Sequence, residues 1–229
     1  KTKMESRRFI MINKVLHNIL NNNEFIAIVA NGEPSNNPNI TRLLQQATLI
    51  IACDGACAKL NNLSITPDYV IGDNDSITNN YLAKHSYIYD SDQNTNDLTK
   101  AFNFLKDKLK LQLPVIIFNA NGYREDHFIA NFALLNEFGI RHDKLFMLSD
   151  YGIFKYVATS QSIKCKIGQQ ISIFNLSENN KITSAGLKWE LNNLSLNKLF
   201  AGTLNQAIQT NINITIQKPI IVYITFDFK

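Results

Sequence analysis

The sequence predicts an α/β fold in two parts: an N-terminal doubly wound parallel-sheet domain over residues 1–150, then a C-terminal antiparallel β-sandwich domain over residues 151–229. Two observations predict it. In the first part, short wholly apolar runs alternate with segments of helical period, as in a parallel sheet covered on both faces. After Asp150 the apolar residues recur at period two, as in strands with one face on a core and one face in water.

The elements follow in order. Phe25-Ile26-Ala27-Ile28-Val29-Ala30 is a buried strand that ends in the turn Asn31-Gly32-Glu33-Pro34. Asn39 is placed to cap a helix carrying Leu43, Leu44 and Ala47. Leu49–Cys53 is a second strand, stopped by Asp54-Gly55, and a short helix runs from Ala56 to Leu60. Tyr69-Val70-Ile71 and Tyr87-Ile88-Tyr89 are a third and a fourth strand. From Asn96 to Leu109 the residues Leu98, Ala101, Phe102, Leu105 and Leu109 share one helical face. Pro114–Phe118 is a fifth strand, Glu125–Phe138 a helix and Lys144–Leu148 a sixth strand. The change of period falls at Tyr151-Gly152. Beyond it Ile163/Cys165/Ile167, Ile171/Ile173, Ile212/Ile214/Ile216 and Val222/Ile224/Phe226/Phe228 alternate with polar neighbours. Upstream, Ile12, Val15, Leu16, Ile19 and Leu20 fit one face of an amphipathic first helix, and no cleavage site for a signal peptide follows.

Bulk properties exclude several classes. No apolar run approaches the roughly 20 residues of a membrane span, so a cytoplasmic protein is expected. Three cysteines, Cys53, Cys57 and Cys165, make no disulfide framework and no paired zinc-ligand spacing. The chain carries a net charge of +4, unevenly spread. Residues 1–150 hold 16 acids against 15 Lys and Arg, whereas the remainder holds 3 acids against 8 Lys. The basic remainder has no Lys/Arg cluster with interleaved aromatics, so no nucleic-acid partner is expected. No G-x-x-x-x-G-K-[ST], G-x-G-x-x-G or G-x-S-x-G is present, which argues against P-loop kinases, dinucleotide dehydrogenases and α/β-hydrolases.

The chemistry-bearing residues lie at strand ends and helix starts. Asp68-Tyr69-Val70-Ile71-Gly72-Asp73-Asn74-Asp75-Ser76 delivers two carboxylates, Asp73 and Asp75, to the carboxyl edge of the sheet, where open α/β folds bind ligands. Acids that close repel unless a cation or a shared proton relieves them. Oxygen-only ligands favour Mg²⁺, and hence a phosphate substrate. Alone, the pair reads equally as a solvated polar turn. Asp54, Asp92, Asp97 and Asp126 recur at equivalent positions. Asp97 opens a helix with Lys100 one turn later, a pairing that serves either a solvated face or a metal and a phosphate. Gly122-Tyr123-Arg124-Glu125-Asp126-His127 presents a guanidinium fork suited to phosphate oxygens, an acid and a histidine.

In combination these segments resemble the thiamine pyrophosphokinase family. The resemblance rests on Asp54-Gly55-Ala56, Pro67–Ser76, Asp92-Gln93-x3-Asp97-x2-Lys100, Gly122-x-Arg124-x-Asp126-His127, Gly186-Leu187-Lys188-Trp189 and Gly202-Thr203-x-Asn205, in that order. It implies a nucleotide- and metal-binding catalytic domain followed by a thiamine-binding and dimerisation domain. It also implies a homodimer with active sites between subunits, and transfer of the pyrophosphoryl group of ATP to the hydroxyl of thiamine, releasing AMP. Asp73, Asp75 and Asp97 would hold Mg²⁺. Asp54, Gln93, Lys100, Arg124 and Asp126 would line the nucleotide and phosphate region, with Lys100 and Arg124 offsetting charge in the reaction. Trp189 and Asn205 would belong to the thiamine side. The chain departs from the family's usual pattern at Asn94 (Asp), Asn96 (Thr), Tyr123 (Gly) and Leu204 (Ser). Those departures leave two other readings: transfer to a different alcohol, or a catalytically inactive binder of nucleotide or thiamine.

Overall fold

A computed structural model describes residues 24–73 and 86–228. The amphipathic helix expected around Ile12–Leu20 lies outside the described residues. The chain divides into two compact units, one of Glu24–Leu134 with Met147–Asp150, the other of Leu135–Phe146 with the residues from Tyr151 onward.

The N-terminal unit is organised by five parallel strands: β1 (Ile26–Val29), β2 (Leu49–Cys53), β3 (Tyr69–Gly72), β4 (Ser86–Tyr89) and β5 (Val115–Phe118). Their order is β5-β1-β2-β3-β4, with Ile26 opposite both Leu49 and Val115. Every residue of β1 and of β5 is buried, which is why these strands read as unbroken apolar runs. The chain steps outward from β1 to β4 and then returns to the other side of β1. The crevice between the ends of β1 and β5 is therefore a topological switch point, the place where such sheets take ligands.

The helices explain the connections. Helix α1 (Pro38–Leu44) starts two residues earlier than Asn39 suggests. Asn37 is the cap, its side chain accepting from the Asn39 N–H at 3.0 Å, and Pro38 occupies the first helical position, where its missing N–H costs nothing. Helix α2 (Ala56–Asn62) packs Ala56, Cys57 and Leu60 inward. Helix α3 (Asp97–Asn103) runs on into a π-helical segment, Phe104–Leu109. That segment closes on left-handed Lys110, whose N–H donates to the Leu105 carbonyl at 2.9 Å. Helix α4 covers Glu125–Arg141 and is followed by β6 (Leu145–Leu148).

The C-terminal unit holds β7 (Gly152–Val157), β8 (Gln161–Lys164), β9 (Gln169–Phe174), β10 (Ile182–Ala185), β11 (Asn205–Gln206), β12 (Asn211–Ile216) and β13 (Ile220–Phe228). They make two antiparallel arrays, β11-β9-β13-β7 and β10-β12-β8. Ile163, Ile171, Ile173, Ile212, Ile214, Ile221, Val222 and Ile224 are buried. Strands β10 and β11 carry no apolar period-two signal, although β10 alternates in burial. Ile182-Thr183-Ser184-Ala185 has a single large apolar side chain, and β11 is two residues long. Among the described residues no helix is long and apolar enough to cross a membrane.

One glycine carries a stability prediction. A methyl on Gly72, the last residue of β3, would overlap the Cβ of fully buried Asp54. Gly72→Ala is expected to destabilise the fold by about 1–3 kcal/mol, the usual cost of overpacking a filled interior. Urea denaturation with an unchanged m-value measures this, and an unshifted midpoint would show that Asp54 can retreat.

Candidate active site

Three side chains meet above the carboxyl edge of β3. Asp73 directly follows β3, and Asp97 and Lys100 share the first turn of α3. The Lys100 ammonium lies 3.4 Å from Asp97 Oδ1 and 3.9 Å from Asp73 Oδ2. Lys100 is only 3% exposed, so the solvated-face reading of the Asp97/Lys100 spacing fails. The two carboxylates, 21% and 35% exposed, converge on one buried cation. Gln93 donates through Nε2 to Asp73 Oδ2 at 2.9 Å, which fixes the carboxylate from a second side. The turn before α3 is tied by Asp92, which accepts from the Asn94 N–H and Nδ2, each at 2.9 Å, and from Thr95 Oγ1. The Asn94 bonds come first among the causes that hold the Asp92 carboxyl below the usual range.

Two of the family departures acquire physical roles here. The Asn94 amide is a donor that clamps Asp92, a task a carboxylate could not perform. Asn96 caps α3, its side chain accepting from the Thr99 N–H at 2.9 Å, a role threonine also fills.

A cleft of about 310 Å³ opens at the switch point, lined among others by Asn31, Gly32, Asp97, Tyr123, Arg124 and His127. The turns after β1 and β5 are zipped together beneath it. Gly32 N–H donates to the Asn119 carbonyl at 2.8 Å, and Glu33 N–H to the Asn121 carbonyl at 2.9 Å. A Cβ on Gly32 would collide with both carbonyls, so only glycine permits this approach. Arg124 and Asp126 form a bidentate pair at 3.1 and 2.6 Å. The Arg124 hydrogen bonds hold the Asp126 carboxyl down to about 2, so the pair stays ionised above that pH. Asp54 lies apart from this lining, wholly buried at the end of β2. Burial first, then the Asp97 and Asp54 carboxylates, push the neighbouring Cys53 thiol up, which leaves it protonated and unreactive. All three cysteines are free.

In the C-terminal unit Trp189 and Asn205 are brought together. Asn205 Oδ1 accepts from Trp189 N–H at 3.1 Å, and its Nδ2 donates to the Trp189 carbonyl at 2.7 Å. Asn205 is buried and its amide fixes the tryptophan backbone, while Trp189 is 56% exposed. The Lys188 ammonium sits 4.8 Å from the indole centroid. Leu204, where the family usually has serine, is exposed and left-handed at φ 59°.

Asp75 lies outside the described residues. Among the described residues no group of three or more His, Cys, Asp or Glu side chains is spaced to hold a metal ion. Asp73 and Asp97 supply oxygen donors already aimed at one cation, a donor set that suits Mg²⁺. Sequence reasoning missed Lys59, whose ammonium donates to the carbonyls of Asn31 at 2.6 Å and Gly32 at 2.9 Å. Nothing in its local sequence sets it apart from a surface lysine. It also missed Asn131, which holds the Ala120 carbonyl at 2.9 Å.

Comparison with known proteins shows the family. Residues 40–147 match the catalytic domain of thiamin pyrophosphokinase, and residues 152–223 match the substrate-binding domain of thiamin pyrophosphokinase. The chain belongs to the thiamin pyrophosphokinase family. It is 29% identical over 188 residues to a thiamine pyrophosphokinase of Bacillus subtilis, across 73% of this chain and 82% of that one. In fold it resembles thiamin pyrophosphokinase from Candida albicans, with TM-score 0.74 at 17% identity, covering 93% of this chain and 91% of that one. The yeast enzyme gives TM-score 0.73 at 15% identity, covering 92% and 89%.

Proposed function

We propose that this chain transfers the pyrophosphoryl group of ATP to the hydroxyl of thiamine, giving thiamine diphosphate and AMP. The observation that carries the reading is the convergence of Asp73 and Asp97 on buried Lys100 at the sheet edge of a chain whose catalytic and substrate-binding domains both match this family. Asp73 and Asp97, with Asp75, would hold Mg²⁺. When bound, the ion would neutralise phosphate charge and align the phosphate oxygens.

The chain's own residues do the rest. Transfer of this kind depends on positioning and on charge neutralisation more than on covalent help. Lys100 keeps the two carboxylates from repelling each other before the donor arrives, and it offers three donors to phosphate oxygens afterwards. Arg124 is already planar and oriented by Asp126, so its outward N–H groups are available to the departing AMP phosphate. Trp189 offers an indole face to the cationic aromatic rings of thiamine, and Asn205 sets its height. A homodimer that brings the Trp189 side to the acid cluster, and a reducing cytoplasmic location suited to three free thiols, complete the proposal.

The test is direct. Purified chain with ATP, thiamine and Mg²⁺ is expected to form AMP and thiamine diphosphate in equal amounts, and chelation with EDTA is expected to stop both. Absence of AMP under conditions where the Bacillus subtilis relative is active would refute the assignment.

A further inference from the structure

Tyr123 combines three features that core packing does not explain. Its backbone is left-handed at φ 62°, a conformation that strains a residue with a Cβ and that glycine adopts freely. Tyr123 lines the switch-point cleft yet is 66% exposed, so the strain is not repaid by burial. The Lys59 ammonium stands 4.8 Å from the ring centroid while donating to the Asn31 and Gly32 carbonyls, which fixes the ring from one face. Strain retained at a cleft wall indicates a ligand-directed role.

We propose that Tyr123 is the stacking platform for the nucleobase of the donor nucleotide. The inference rests on the assignment of ATP as donor. One ring face is held by Lys59, and the other takes the base. Arg124, the next residue, lines the same cleft, and the Nη N–H groups left over from its pair with Asp126 suit a phosphate, so base and phosphate contacts would be one residue apart. Stacking reads the π-face rather than the base edge, so purines of either kind are accepted and pyrimidines bind less well.

The experiment measures binding of ATP, CTP and inorganic tripolyphosphate to the full chain by calorimetry, with Mg²⁺ and without thiamine. Tyr123→Ala and Tyr123→Gly are each expected to weaken ATP roughly 5- to 100-fold, to flatten the preference for ATP over CTP, and to leave tripolyphosphate unchanged. Tyr123→Phe is expected to keep the affinity. Tyr123→Gly should at the same time raise the melting temperature by relieving the backbone, so weaker ATP binding cannot be put down to damage to the fold. Unchanged ATP affinity in the Ala and Gly variants overturns the proposal, as does an equal loss of ATP and tripolyphosphate. A raised KM for thiamine with unchanged ATP affinity would move the ring to the acceptor and overturn it too. If the unaltered chain binds ATP but makes no AMP, the proposed activity fails while these affinities still decide the role of Tyr123. If it binds no ATP, both fall.

Discussion

Asp73→Asn is expected to lower kcat by at least about 10²–10³, the size of effect seen when one preorganised electrostatic group is removed from an active site. The substitution is nearly isosteric, so shape is retained and charge is lost. Asp73 receives Gln93 on one oxygen and faces Lys100 at 3.9 Å. An asparagine can still accept from Gln93, so that contact is kept. What disappears is half of the negative charge that the described part of the site aims at a single cation. Because Asp73 is partly exposed, the fold should barely notice, and the melting temperature should move by only a few degrees. Initial rates of AMP release at rising Mg²⁺ separate the causes. A pure loss of metal affinity is partly rescued by excess metal, whereas misplacement of Lys100 is not. Full activity at ordinary Mg²⁺ would remove Asp73 from the metal set.

Much of this was legible in the sequence for physical reasons. Strands β1, β2 and β5 are buried along nearly their whole length, so the apolar runs mark them with little ambiguity. The acids at strand ends are legible as sharing an edge because a parallel sheet puts every strand's carboxyl end on one side, whereas the meeting of Asp73 and Asp97 at one lysine is seen only in the structure. The burial of Lys100 was not legible. Whether a lysine one turn after an acid faces water or protein depends on what covers that helix, and here the helix packs against β3, β2 and β1. The π-helical turn at Phe104–Leu109 is hidden for another reason: over six residues, apolar spacing does not distinguish it from an α-helix. The start of α1 was displaced because Pro38, a strong marker for the first helical position, outranks Asn39 as a signal. The pairing of Asn205 with the Trp189 backbone spans 16 residues, a distance over which no local pattern operates.

Lys100→Met is the sharper test, because it should move metal binding and turnover in opposite directions. Methionine keeps much of the buried apolar stem and removes only the ammonium, so lost packing is a minor part of the outcome. Removing one partner of a buried ion pair costs about 3–5 kcal/mol when the other charge is left dry. Here the carboxylates are 21% and 35% exposed and can draw on water, so a smaller loss of about 1–3 kcal/mol of stability is expected once that screening is allowed for. The loss should be largest at low ionic strength, where repulsion between Asp73 and Asp97 is least screened. For the same reason the variant should bind Mg²⁺ more tightly than the unaltered chain. A competing cation 3.4 and 3.9 Å from the two acids is gone, and the acids recover their mutual relief from the ion instead. Turnover should nevertheless fall by about 10²–10³, since the donor that meets charge building on the phosphate oxygens is missing. Calorimetric Mg²⁺ titration, thermal melts with and without Mg²⁺, and AMP release together decide the matter. Tighter metal, a melting temperature restored by metal and a low kcat support Lys100 as a group that relieves the acids at rest and serves the phosphates in reaction. Weaker metal binding would mean that Lys100 shapes the carboxylate pair rather than competing for it, and an unchanged kcat would leave it a purely structural cation.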